Sequence, residues 1–558
     1  MQNDKYRPPE PPTFGFTSAP PQHGYPPQGP PQHGYPPQGP PQHGYPPQGP
    51  PQHGYPPQGP PQPEYPAQNY PPQGFNPPPQ NYGPPPPQNY APPPPAPVIV
   101  QPGGWYSRNR RNKPQSNAVA AASLIFLSGG MNIAWSVGFR PLTSTVFTSL
   151  HLAVAWFIAA IIGAFISCFL ANKIPKKFVV IFASALVLIA GIVRAATRYN
   201  GEAIEASLYL DGIANGLIFS PTLALIGEVS WPYMRGPIAA SIEQMCFTCG
   251  FFIQLVYTEA WGVDSYYYNT FTSEQMHGVL SAIYGLIALI LAAFLIIESP
   301  VITLANGNEQ AALEILRQLQ QPHTITTDTY AQLEEHKRYL AQNKNISTVE
   351  SITQGLPALL RLVFLRALNA MSLSIMVYYA FLLSIITHYS PYDFMWQYLV
   401  FGICRWIGTF VISLCTESLG RKKPTLFGLL VSGGLSFGIA SMVGDYPYGA
   451  VDSIVNLIFV YEVFAGIAFA PSSVYLSEAY PLGVKQHFIS FTFMAEMLVF
   501  LIISCCTTSV TGISIYFYIL GAFSVLGALL GFWCLPETKG TTLREAQEKF
   551  KGMSSKGF

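Results

Sequence analysis

The chain has 558 residues, a formal net charge of +1, 10% charged residues and 49% apolar ones. Soluble domains carry about 25% charged residues, so a string of water-soluble domains is excluded for most of the chain. A charge this close to neutral also argues against a nucleic-acid partner, which a basic excess would announce.

The first 115 residues stand apart. They hold most of the 54 prolines and almost no aliphatic side chains, and residues 21–60 are four identical copies of Pro-Gln-His-Gly-Tyr-Pro-Pro-Gln-Gly-Pro. Such a segment cannot offset its ordering entropy, so residues 1–115 are expected to be a disordered tail of polyproline-II character. Its partners would be WW- or SH3-type domains, or other copies of itself through the repeated tyrosines. The histidines at ten-residue intervals (His23, His33, His43, His53) read as part of a solvated tail, not as metal ligands. No signal-peptide pattern precedes the tail, so the first span is expected to serve as the insertion signal. A basic collar, Arg108, Arg110, Arg111 and Lys113, closes it.

Apolar runs long enough to cross a hydrocarbon layer of about 30 Å follow near 117–138, 147–171, 178–196, 204–226, 237–257 and 278–297. A second set lies near 362–386, 396–416, 425–443, 454–477, 488–508 and 513–535. The expected divisions are a first six-helix bundle over 116–300, a cytosolic helical loop over 301–360, a second bundle over 361–537, and a cytosolic tail over 538–558. Arg366 and Arg405 interrupt spans 7 and 8. With both termini cytosolic, the inner connections hold nearly all the lysines and arginines and the outer ones only Arg140, Arg194 and Arg198, as the positive-inside rule requires. Asn345-Ile-Ser spells a glycosylation sequon but falls on the cytosolic side by this topology. The outer loop 258–276 has no readable role. All eight cysteines lie in apolar runs, where packing explains them better than disulfides or metal binding.

Three short motifs occur twice in the same order. Gly227-Glu-Val-Ser…Arg235-Gly returns as Ser477-Glu-Ala-Tyr-Pro…Lys485, with Glu228 and Glu478 standing 250 apart. Pro175-Lys-Lys returns as Gly420-Arg-Lys 245 residues on, and Glu298-Ser-Pro as Glu537-Thr-Lys 239 on. Spacings this close imply a duplicated half, the plan of a transporter built from two parallel repeats. Lys176, Lys177, Glu228, Arg235, Glu417, Arg421, Glu478 and Lys485 are candidate gating residues. Carboxylates at the end of one span and cations at the end of another can latch an inner gate and bias a two-state equilibrium.

With these motifs and Glu417-Ser-Leu-Gly-Arg-Lys422, Tyr378-Tyr379 and Pro536-Glu-Thr-Lys-Gly540, residues 117–550 resemble the sugar-porter branch of the major facilitator superfamily, the group of facilitative glucose transporters. The resemblance implies an all-α membrane protein of twelve spans in two six-helix bundles. It also implies facilitative transport of a sugar or similar polar solute by alternating access, most simply at the plasma membrane, with no catalytic residues, cofactor or metal. It places Gln244 and Asn369 among sugar-binding amides, with Tyr378 and Tyr379 beside them. Asn132 falls where proton-coupled relatives carry an aspartate, which favours uncoupled transport. It also places Arg405 and Glu496 on cavity-facing amide positions.

The rest of that site departs from the family: Leu368-Asn-Ala-Met-Ser-Leu-Ser374 replaces a glutamine-rich run, Ser473 a tryptophan, Leu208 an arginine and Asn172 an aspartate. Two charges near mid-span are costly alone, so Arg405 and Glu496 are expected to pair across the cavity, which would suit a substrate smaller than a hexose or one bearing charge. Two alternative readings stay open. One is an organic cation, zwitterion or proton-coupled cargo, suggested by Asp211, Glu243, Arg405, Glu462 and Glu496; the other is a transporter-like receptor or scaffold.

Overall fold

The structure is a computed structural model that describes residues 105–140, 149–198, 200–260, 271–344, 346–386, 396–446, 448, 451–506 and 508–555. The repeat-rich segment up to 104, the middle of the 258–276 loop and Asn345 of the sequon lie outside the described residues.

Among the described residues, twelve helices are long and apolar enough to span a membrane: Ala120–Val137, Leu150–Leu170, Lys176–Ala196, Gly201–Val229, Pro232–Ala260 and Ser273–Leu295, then Thr348–Ile386, Trp396–Leu419, Lys422–Gly444, Ser453–Glu478, Lys485–Ser504 and Val510–Cys534. They are numbered spans 1 to 12 below. Each coincides with one of the apolar runs, because a stretch of about 20 residues without water must satisfy its backbone within itself.

Two expected boundaries shift. A helix over Trp105–Asn117 carries the basic collar, so regular structure starts ten residues before 115. Arg111 pairs there with Asp328 at 3.1 Å, and Gln115 accepts from the backbone of Trp231 at 3.0 Å. The helical loop also ends early. Its helices cover Pro300–Ala305, Glu309–Gln318 and Thr327–Lys344, and span 7 begins at Thr348 because Ser347 caps it by accepting from Glu350.

Within each half the spans pack through small residues. A side chain at Gly130 would collide with the Phe247 carbonyl and one at Gly250 with that of Leu127, so the two glycines let spans 1 and 5 touch backbone to backbone. Between the halves, span 2 packs on span 11 and span 5 on span 8, the same pairing with the roles of the repeats exchanged. The duplication read from the motifs is thus visible as a symmetric interface.

Three irregular stretches face that interface. Span 5 widens to a π turn over Ser241–Met245, span 7 breaks after Ser372, and span 10 breaks at Ala470-Pro471, where proline has no N–H to continue the ladder. Backbone that leaves the helical ladder at membrane depth must line a cavity or be buried in protein.

Candidate functional site

Those three stretches bring together a buried charged cluster. Arg366, on span 7, is 1% exposed and reaches both halves. Its two terminal nitrogens donate to Glu243 of span 5 at 2.7 and 3.2 Å, its Nε donates to Glu496 of span 11 at 2.8 Å, and a further bond at 3.0 Å goes to Ser472 of span 10. Glu243 also accepts from Gln244 at 2.9 Å and from the Ser473 hydroxyl. Arg405, on span 8, pairs with Glu462 of span 10 at 3.1 Å and donates to Asn369 at 2.8 Å. Asn369 in turn donates to Glu496 at 2.8 Å. A side-chain amide suits this link because it offers a donor and an acceptor together.

The expected Arg405–Glu496 ion pair does not form. Span 8 packs on span 10, which gives Arg405 Glu462 as its partner, while Arg366 on span 7 lies against span 11 and takes Glu496. The amide of Asn369 stands between the two pairs. Arg366 and Glu243 are the residues that sequence reasoning undervalued. Their signal was present, since an arginine inside an apolar run is a functional candidate by its cost alone.

Beside the cluster lies a cavity of about 30 Å³ lined by both halves, with Gln244, Thr248 and Phe247 on one side and Asn369, Phe493 and Phe500 on the other. It has room for about one water. Gln244, Asn369 and Glu496 therefore meet at one site. Arg405 stands one link behind it. Asn132 and the two tyrosines do not line it. Asn132 accepts from Arg194 at 3.2 Å, within a group where Arg194 also pairs with Glu274 at 2.5 Å. Tyr378 packs edge-on to Phe139 at 4.9 Å, and half-buried Tyr379 packs on Tyr378 at 5.8 Å.

Both ends of the path are closed. Away from the termini, Phe139 of the first half sits among Tyr378, Tyr398 and Phe401 of the second, at ring distances of 4.9 to 5.4 Å. At the end bearing the termini the duplicated motifs interlock. Arg235 of the first copy approaches Glu478 of the second at 3.5 Å, and Arg421 approaches the same oxygen at 3.3 Å. The ammonium of Lys485 lies over Gly227, next to Glu228, which is bound by Lys176 at 2.6 Å. Each copy thus reaches into the other half.

Distances of 3.3 and 3.5 Å exceed the 2.7–2.9 Å of strong charge-assisted bonds, so the pull of Arg235 and Arg421 on Glu478 acts mainly through space, beside a direct bond from Gln486 to Asn172 at 2.9 Å that joins the halves. Arg421 also binds Glu417 at 2.7 Å, and Glu417 accepts from the Gly236 backbone across the interface at 3.2 Å. Burial works against the charge of Arg421, but Glu478 and Glu417 outweigh it and hold its pKa above the ordinary value.

The remaining echoes act as helix caps. Glu298 accepts from the backbone N–H groups of Lys176 and Lys177 at 3.2 and 2.8 Å, and Glu537 accepts from those of Arg421 and Lys422 at 3.0 and 3.1 Å. A carboxylate at a helix N-terminus is favoured by the unpaired N–H groups and the dipole there. Lys177 contributes its backbone to this arrangement.

Two pseudo-symmetric six-helix bundles around a small cavity that is packed over at both ends are the architecture of a multi-pass membrane carrier. Residues 105–550 match the family described as "Sugar (and other) transporter", and the chain belongs to that family. It is 24% identical over 463 residues to the arabinose-proton symporter of Escherichia coli (strain K12), covering 79% of this chain and 93% of that one. It is 23% identical over 424 residues to the facilitated glucose transporter member 3 of Mus musculus, covering 73% and 83%. Among solved structures it resembles the major facilitator superfamily proton:xylose symporter XylE bound to 6-bromo-6-deoxy-D-glucose, with a TM-score of 0.65 and 18% identity over 78% of this chain and 99% of that one.

Proposed function

We propose that the protein carries a sugar or a similarly sized polar solute across the membrane by alternating access, without covalent chemistry. The observation that carries this reading is the cavity closed at both ends and walled by both halves. A site between two gates that are built across the same interface can open to one side or the other by rocking the halves. Gln244 and Asn369 are the neutral amides placed to meet hydroxyl groups, while Arg366, Glu243 and Glu496 set the charge of the wall. With the cavity near 30 Å³ in the closed state, solute binding requires the halves to part.

The excess of basic residues on the terminal side supports termini in the cytosol, and a role in sugar uptake would suit a place in the plasma membrane. The proline-rich repeats support binding of WW- or SH3-type domains or self-association, apart from transport itself.

The test is uptake of a labelled panel into liposomes containing the purified protein: pentoses, hexoses, polyols, an organic cation and a zwitterion. Saturable uptake of a neutral sugar is the expected result. Uptake confined to the cation or zwitterion would overturn the sugar reading, and no uptake of any member above empty liposomes would favour the receptor alternative.

A further inference from the structure

The five charges of the core do not sum to zero. Arg366 and Arg405 bring two positive charges and Glu243, Glu462 and Glu496 three negative ones, and all five are at most 2% exposed. Among the described residues, their surroundings supply no further cation. Cys404 of span 8 and Tyr461 of span 10 lie beside Glu462, and Tyr516 of span 12 beside Tyr461. Cys246 neighbours Glu243, Tyr480 neighbours Arg366, and the second part of span 7 carries Tyr378 and Tyr379. Span 9 has no ionisable group beyond Lys423. An unbalanced charge without water is strongly unfavourable, and a carboxyl answers it by taking up a proton.

The hydrogen bonds show which carboxyl that is. Glu243 accepts from Arg366, Gln244 and Ser473, and Glu496 from Arg366 and Asn369, so both oxygens of each are engaged. Glu462 accepts only from Arg405, at Oε2, and its fully buried Oε1 has no partner. Ionised, it would be the least compensated carboxylate of the three.

We propose that Glu462 is a proton-binding site of the carrier, occupied at neutral pH in the closed state so that the core is electrically neutral. The site reports to the cavity through a continuous chain. Glu462 binds Arg405, Arg405 binds Asn369 at 2.8 Å, and Asn369 binds Glu496 in the cavity wall at 2.8 Å. Loss of the proton strengthens the pull of Glu462 on Arg405 and loosens the hold of Arg405 on Asn369. The site lies in the second half, whereas Asn132 of the first half has an amide that cannot ionise. It goes beyond the transport reading and does not depend on which solute is carried.

The test is infrared spectroscopy of the purified full-length protein in lipid, titrated with acid and base in H2O and D2O. At pH 7 the wild type should show a protonated-carboxyl band that shifts in D2O, and Glu462→Gln should abolish that component. Asp211→Asn, which changes a buried carboxyl outside the five-charge cluster, should leave it in place. Glu462→Asp keeps a carboxyl and should shift the component instead of removing it, which provides a reading if the glutamine variant does not accumulate. A band identical in the wild type and both Glu462 variants overturns the proposal. So does a band that appears only when sodium is withdrawn, since a metal cation would then be supplying the missing charge.

Discussion

Replacing Arg366 with methionine removes the one side chain that ties Glu243 of the first half to Glu496 of the second. The change deletes three charge-assisted bonds of 2.7–2.8 Å or 3.2 Å to the two carboxylates and one of 3.0 Å to Ser472. Both carboxylates stay buried, at 0% and 2% exposure, with neutral donors alone. Breaking a buried pair by removing one partner costs about 3–5 kcal/mol, and two partners are stranded here, so the upper part of that range is expected. Arg366→Lys keeps the charge but loses the planar fork that spans two carboxylates, and should cost about 1–3 kcal/mol. The triple change Arg366→Met, Glu243→Gln, Glu496→Gln leaves no stranded charge and should recover most of the loss, because apolar or neutral replacements of buried pairs are often tolerated. Denaturation of the purified protein in a background where the other seven cysteines are replaced by serine or alanine, followed by a thiol-reactive dye that reaches buried Cys246 only on unfolding, gives the three values. A single variant as stable as the wild type, or a triple variant no better than the single one, would refute the account of the core as a charge-compensated layer.

Three further outcomes are expected. Glu478→Ala removes the oxygen shared by Arg235 and Arg421 and should favour opening of the terminal-side gate by about 1–3 kcal/mol; a cysteine placed at Gly483 should then react faster with an aqueous reagent, and unchanged labelling sinks the latch. His336, on the loop helix Thr327–Lys344, is pushed down to about 4 by burial, with nearby Glu228 opposing the shift and Arg235 reinforcing it. Released from its packing it titrates near 6.5, so docking of that helix is at full strength above pH 6.5 and weakens by up to about 3 kcal/mol as pH falls towards 4. Protection factors in 327–344, corrected for the intrinsic pH dependence of exchange, should fall at pH 5 in the wild type but not in His336→Gln, and equal protection at both pH values would contradict this. Finally, a chain beginning at Gly103 keeps the Trp105–Asn117 helix with its Arg111–Asp328 pair and should transport at the wild-type rate per molecule at the membrane, whereas loss of transport would show that the repeats take part in it.

The sequence alone determined the number of spans, their limits to within about five residues apart from the early start of span 7 at Thr348, and the duplication of the two halves. Each of these rests on a local property: apolar length fixes a span, and proline, glycine or a capping serine ends it. Repeat spacing needs no coordinates either. The resemblance to the family implied cavity positions for Gln244, Asn369 and Glu496, and these three residues line one small cavity.

Only the tertiary structure decided which charge meets which. Arg405 and Glu496 both sit near mid-span, and span composition cannot say that span 8 turns Arg405 towards Glu462 of span 10 while Arg366 takes Glu496. The same holds at the terminal end, where each motif, besides pairing within its own half, reaches into the other: Arg235 reaches Glu478, and Lys485 lies over Gly227. The physical reason is one of range. Hydrophobic transfer acts on each segment separately and is written in its composition, whereas an ion pair acts over a few ångströms and depends on helix rotation, tilt and neighbour order, which are settled only when the twelve spans pack together.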